Sequence, residues 1–422
     1  MNSRNLPYIL MTAAMLIAAC TDNPAPDTPE GEDPDVPPVS GLTGYADPEG
    51  VLLLSGGEYT MENAFLTFIA PDGTLENRVY ASANASELGN DGVGMSMSEG
   101  KQYILCNDWR KAEGKENNGL LIVADAQTLR KEQSFSRAQM TFRHPVNGTM
   151  EEVDESLGGI AVLDSRNVFI FAQGVLRFDC STGGLSLVEG SYEIGNMGTA
   201  NTVESIVSPR GATVVDGRMY ALAGGFWSST ALLEFSKGED AVSRRLELGK
   251  GDLVSGMCRT EDGTLVAATY YRSRPNSGFL YFIDVESWSI VDQKTVTANI
   301  SPGTHSNSGI TRIGDYIYFT GAEESEFASS LKTTLSRFSI GTGRTEKDIV
   351  DFRADEPDAN ILDCNVTGDP DSWLLYVAVS QENMEGVVPQ SHILVYDCSV
   401  DPPQLVRKIS GLTHYVTGIY PM

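Results

Sequence analysis

Aromatic and cationic side chains gather in a few segments of this chain, and they suit non-covalent capture of a flat or bulky molecule. The candidates for ligand contact are Tyr59, Trp109, Phe142, His144, Tyr192, Phe226, Trp227, Tyr271, Arg272, His305 and Tyr415. Aromatic faces bind by stacking and apolar contact, with a few polar groups fixing orientation. Arginines add cation–π or carboxylate contacts. Phe226-Trp227 leads the set because it follows Gly224-Gly225 at the end of an apolar run, and Tyr270-Tyr271-Arg272 comes next. Each residue also has a plainer reading, a loop packing onto its own strands. The imidazoles of His144, His305 and His414 could meet a metal carried by a ligand. The four histidines are dispersed, however, and none pairs with another at metal-ligand spacing.

Covalent chemistry has less support. The chain contains no GxSxG, HExxH, P-loop or EF-hand pattern, and no tryptophan-docking motif that would suggest a quinone. Carboxylates abound, but at a formal charge of −27 they read as solubility, and no pair stands out as acid and base. The expectation is a protein without a catalytic residue or cofactor. The same charge argues against nucleic acid, whose phosphates need a basic face. Beyond Cys20 lie Cys106, Cys180, Cys258, Cys364 and Cys398, an odd number with no CxxC spacing. They read as buried free thiols, with one disulfide as the alternative.

The elements that must position these residues repeat. An apolar β-rich run ending in an acidic or small residue and a turn recurs seven times: FLTFIAPDG at Phe65, LLIVADAQT at Leu120, VLRFDCSTG at Val175, LLEFSKGED at Leu232, LYFIDVESW at Leu280, LSRFSIGTG at Leu335 and ILVYDCSVD at Ile393. The period is roughly 50 to 58 residues, and strand-borne self-similarity of that length signals a β-propeller. A second echo precedes most copies, a glycine or small residue, a strand, a tight turn and another strand, at Gly94, Gly159, Gly211, Gly256, Gly309 and Asn365. Asp216-Gly217 and Asp262-Gly263 suit two-residue hairpin turns. The fold expected is all-β, a seven-bladed propeller of four-stranded antiparallel blades over residues 41–422. Gly418–Met422 is a last glycine copy without a partner strand, and docking it inside the first blade closes the ring. Gly41–Ala46 competes for the same slot. The long connections, among them Ser136–Gly158, Gly190–Arg210, Gly224–Thr230 and Val296–Ser308, fall between strands B and C or between D and the next A. These emerge on one face, and long loops in compact domains are usually functional.

At the amino terminus Arg4 precedes an apolar run, Tyr8–Ala19, too short to span a bilayer, which reads as a secretory signal over residues 1–20. Leu16-Ile17-Ala18-Ala19-Cys20 resembles the lipobox of bacterial lipoproteins, which implies acylation of Cys20 and a lipid anchor as the only membrane attachment. Residues 21–40 contain six prolines and six acidic residues. They read as a stiff, solvated, disordered tether. An acidic stretch at this place is similar to the signals that carry Bacteroidota lipoproteins to the cell surface.

Val51–Met97 resembles the opening blade of a group of Bacteroidota surface lipoproteins, propellers related in fold to YncE-like and YVTN-type repeat proteins. The group's frequent Asn-Glu-Gly at the first turn is here Ser55-Gly56-Gly57-Glu58. Members include cobalamin-capturing proteins that cap TonB-dependent outer-membrane transporters, and similar propellers capture siderophores or other chelates. The resemblance implies an outer-membrane, surface-facing lipoprotein that captures a corrinoid, siderophore or haem and passes it to such a transporter. A propeller that binds a protein or glycan without transport, and a lipid-anchored carbohydrate-active enzyme, remain as alternatives.

Overall fold

The computed structural model describes residues 44–57, 62–107, 119–154, 156–197, 200–225, 228–271, 274, 276–298, 300–303, 306–321, 334–357, 364–380, 390–413 and 415–422. They form seven four-stranded antiparallel sheets, each ordered A-B-C-D from the centre outward. Blade 2 is typical: Gly92–Ser98, Lys101–Cys106, Leu121–Asp125 and Lys131–Phe135. Strand A opens at Gly159 in blade 3, Val207 in blade 4, Leu253 in blade 5, Ile310 in blade 6 and Cys364 in blade 7. The last strand, Val416–Pro421, pairs antiparallel with Val51–Ser55 and becomes strand A of blade 1, with Leu53 opposite Ile419. The competing segment takes another role. Gly44–Ala46 forms a 3-10 turn, with the Tyr45 N–H donating to the Gln127 carbonyl at 2.9 Å and the Tyr45 ring edge-on to Phe68.

Blade geometry follows from burial. Strands B and C are covered on both faces by neighbouring blades, so they read as continuous apolar runs. Phe65–Ile69 and Asn167–Phe171 are buried at every position. Lys131–Phe135, an outermost strand, is almost wholly exposed and correspondingly polar. Between blades the side chains interdigitate. Tyr103, Leu105 and Val123 of blade 2 meet Ile160, Val168 and Ile170 of blade 3 in one cluster. Each fully buried side chain of that size contributes about 1.5–3 kcal/mol.

The acidic residue that closes strand C in the echo is a turn device. Asp125 Oδ1 accepts the Thr128 N–H at 2.8 Å and its hydroxyl at 2.7 Å. Asp284 accepts from Glu286 N–H at 2.9 Å, and Asp397 from Ser399 N–H at 2.8 Å. Such side-chain bonds mimic a backbone turn and satisfy N–H groups left free where the strand stops. Bonds from Thr128, Ser287 and Ser399 hold the three carboxyls below the usual aspartate range.

Candidate functional site

Because strands alternate in direction, the B–C and D–A connections leave one end of the propeller and the A–B and C–D turns leave the other. The first end is the elaborated one. Between blades 2 and 3 it carries the hairpin Thr141–Arg143 with Met150–Glu152, and between blades 3 and 4 the hairpin Tyr192–Met197 with Ala200–Ser205. The helices Val79–Asn84 and Phe352–Asp355 lie in two further D–A connections. The opposite face carries two clefts between blades. One, of about 660 Å³, lies between blades 5 and 6, and one of about 550 Å³ between blades 7 and 1.

The described part of the D–A connection of blades 5 and 6, residues 300–303 and 306–309, turns inward over the inner strands at the mouth of the central channel. The N–H groups of Gly303 and Gly309 donate to the Ser255 carbonyl at 3.2 and 3.0 Å, and the Ser255 hydroxyl donates to the Ser301 carbonyl at 2.7 Å. The Gly211 N–H donates to the Ser306 carbonyl at 3.0 Å, and the Asn307 side-chain amide to the Thr417 carbonyl at 2.6 Å. The segment thus reaches strand A of blades 5, 4 and 1.

Glycines of the second echo form its seat. A Cβ on Gly94 would lie 2.8 Å from Ser306 Oγ, and one on Gly159 would lie 2.8 Å from Ser306 Cβ. On Gly256 it would meet Ser308 Oγ at 2.3 Å, and on Gly309 the Ser301 carbonyl at 2.3 Å. These are close-approach glycines. A molecule held on this face therefore rests on a plug made of the protein's own chain.

The structure divides the sequence candidates. Phe142 is fully buried in the cluster between blades 2 and 3, beside Met140 and Val153, so its ring offers no face to a ligand. His144 is 3 % exposed. Its Nδ1 accepts N–H groups of Val146 and Asn147 at 3.1 and 3.3 Å, while Nε2 lies 3.2 Å from the Asn201 carbonyl. That pattern assigns the hydrogen to Nε2 and leaves no lone pair for a metal. The imidazole instead ties one hairpin to the other. The run His144-Pro145-Val146-Asn147-Gly148 carries the turn chemistry that signals this local role.

Tyr192 is half-buried on its hairpin, and burial raises its phenol pKa, with Glu189 adding to the effect. Tyr271 is also half-buried, edge-on to Phe279 at 5.6 Å and covered by the Arg274 guanidinium at 4.6 Å. Tyr415 is 36 % exposed, and its carbonyl accepts the Gly56 N–H. Tyr59, Trp109, Phe226, Trp227, Arg272 and His305 lie outside the described residues, as do His414 and Cys20. The Gly224–Thr230 connection is shorter than the sequence suggests. Strands B and C of blade 4 run on to Gly225 and Ser228, which pair across only two residues.

The rim of blade 7 holds a buried ionic cluster with no sequence signature. Glu356, 5 % exposed, is ion-paired to Lys408 and lies 4.0 Å from His392 Nε2, and His392 Nδ1 lies 3.1 Å from Ser410 Oγ. Burial pushes the His392 pKa below its ordinary value, with Glu356 opposing and Lys408 assisting. Cys106, Cys180, Cys258 and Cys398 form no disulfide. Burial pushes Cys180 and Cys258 up to about 12 and Cys398 to about 11, which makes them inert at neutral pH. Among the described residues no three histidine, cysteine or acidic side chains gather as a metal site.

Fold and site together define a seven-bladed propeller with one plugged, elaborated face. The chain belongs to the DUF5074 family, a domain of unknown function, whose model matches residues 49–399. No curated protein matches it. Among solved structures it is similar to a quinonprotein alcohol dehydrogenase-like protein from Bacteroides thetaiotaomicron, at 14% identity and TM-score 0.56, over 88% of this chain and 78% of that one. A candidate 6-phosphogluconolactonase from Bacteroides uniformis aligns at 10% identity and TM-score 0.48, over 88% of this chain and 98% of its own. At 14% identity the first likeness shows the propeller fold alone.

Proposed function

We propose that this chain is a lipid-anchored capture protein of the outer membrane. Its D–A and B–C face takes up a bulky nutrient, a corrinoid or another metal chelate such as a siderophore or haem, and hands it to a TonB-dependent transporter. The observation that carries the reading is the asymmetry between the faces. Hairpins, helices and the channel plug all belong to one end, where a propeller places its ligand-facing connections. Tyr192, Tyr271 and Tyr415 supply aromatic surface there. The lipobox-like segment ending at Cys20 and the acidic residues 21–40 support tethering to a membrane surface.

The test uses residues 41–422. All four strands of every blade lie between Val51 and Pro421, so the ring closes without the first forty residues. Calorimetric titration with cobalamin, haem and a ferric catecholate is expected to show saturable sub-micromolar binding of one of them. Crosslinking in native membranes is expected to recover an outer-membrane barrel. Binding to none, with no barrel recovered, overturns the proposal in favour of a propeller that docks a protein or glycan.

A further inference from the structure

Seven inner strands wall the channel, and charge on them is sparse. Asp164, Arg259 and Asp369 close their strands at the A–B end, and Arg312 stands third of four in its own. Asp164 is ion-paired to Lys237 at 2.9 Å and Arg312 to Glu261 at 3.1 Å. Among the described residues, the half of these strands next to the plug carries one charged side chain, Arg210.

The backbone is shaped to present it. Strand A of blade 4 shifts register between Ser208 and Thr213. Pro209, within that bulge, packs over Gly158 and Gly159 of blade 3, and Gly211 takes a φ of +69°, a left-handed conformation that favours glycine. The kink turns Arg210 across the mouth of the channel, where its Nε–H donates to the Gly303 carbonyl of the plug at 2.7 Å.

That carbonyl is neutral, so the bond fixes the guanidinium without cancelling its charge. Among the described residues no carboxylate pairs with Arg210. In a chain of net charge −27, a half-buried cation at a channel mouth with no carboxylate partner among the described residues is an exception. A guanidinium held through Nε keeps two Nη groups in fork geometry, which matches the paired oxygens of a carboxylate or phosphate. Low-dielectric walls strengthen the attraction.

We infer that Arg210, seated on the plug, is an anion-recognition residue that grips a carboxylate or phosphate group of the ligand bound on this face. The inference rests on the capture reading for the rest of the ligand, while the anion site itself is testable alone. Residues 41–422 and the variants Arg210→Lys and Arg210→Gln are titrated calorimetrically with inorganic pyrophosphate and with citrate at low ionic strength. Thermal unfolding of each variant serves as the check on folding.

Saturable binding in the parent is expected, weakened about tenfold or more in Arg210→Gln and less in Arg210→Lys, because an ammonium keeps the charge but loses the fork. Preference for pyrophosphate over citrate assigns a phosphate, and the reverse a carboxylate. No saturable binding of either anion by the parent overturns the inference, as does equal binding by parent and Arg210→Gln. Anion binding without uptake of any chelate leaves the site standing and removes the capture reading. Chelate binding unaffected by Arg210→Gln removes the site and leaves capture.

Discussion

The two ends of the propeller are built from the same seven sheets and solve different problems. At the A–B and C–D end the chain turns back within a few residues, using side-chain carboxylates such as Asp125, Asp284 and Asp397 to cap the strands. Each of these carboxylates bonds to a residue two or three positions away, and contacts to the next blade, such as Asp164 with Lys237, are pairwise. At the B–C and D–A end the solution is collective. One connection, reaching from Ser301 to Gly309, is held by strand A of blades 1, 4 and 5 and depends on glycines in blades 2 and 3. The turns are closed by short-range bonds, whereas a shared plug couples blades that are far apart in sequence.

That contrast is open to measurement. The largest effect is expected at the plug. Gly309→Val places a branched side chain against the Ser255 hydroxyl, the Ser301 carbonyl and the Gly303 nitrogen, all under 3.0 Å from the first added carbon. Backbone cannot swing aside as a side chain does, so the cost is about 3 kcal/mol. Urea unfolding with hydrogen exchange should show lost protection at the Gly211 and Gly303 amides. Retained protection there would break the idea of a coupled plug.

A smaller loss is expected near the other end. Glu234, 3 % exposed, accepts from Arg218 at 3.3 Å, Arg244 at 3.0 Å and the Tyr220 hydroxyl at 3.2 Å, all on Oε2. Removing one member of a fully buried ion pair costs about 3–5 kcal/mol. Here the arginine side chains are 48% and 30% exposed and can rehydrate. Glu234→Ala should therefore cost about 2 kcal/mol, read by the same unfolding curves. Ligand and anion binding on the far face should stay as in the parent.

The smallest effect concerns pH. The His392 pKa is lowered from 6.5 in the folded protein, first by burial. Above pH 6.5 the imidazole is neutral in both states and the folded protein bears no penalty. As the pH falls below 6.5 the unfolded chain takes up the proton first, so stability declines until the folded value is passed. The turn carboxylates, whose values are lowered on folding, keep their stabilising share down to the ordinary aspartate value of 3.8 and lose it only as the pH falls further. Stability measured just below pH 6.5 should slope in the parent and flatten in His392→Gln. An unchanged slope would assign the effect to another group.

Much of the architecture was legible because it is written in local, repeated chemistry. Asp125, Asp179, Asp284 and Asp397 mark the ends of their C strands in the sequence and in the structure alike. The closing strand was legible only as one of two options. Gly418 and its apolar neighbours Val416 and Ile419 fit a central strand, while Gly44–Ala46 became a turn under the first blades. The binding face was legible as a place more than as a set of residues. Phe142 and His144 looked like exposed loop groups, but the hairpin that carries them folds onto the blades, and its ring atoms go to core packing and backbone bonds.

What the sequence by itself determined is therefore the periodic part: strand runs, turn carboxylates and the count of seven, each set by interactions within about fifty residues. The tertiary structure alone decided that the echo glycines are a seat for a plug. It also decided that Arg210 lies across the channel mouth and that Glu356 meets His392 and Lys408. The physical reason is range. A Cβ clash between Gly94 and Ser306, or a bond from Arg210 to Gly303, joins residues about a hundred or more positions apart, and nothing in the local pattern of either partner encodes the distance that closure of the ring imposes.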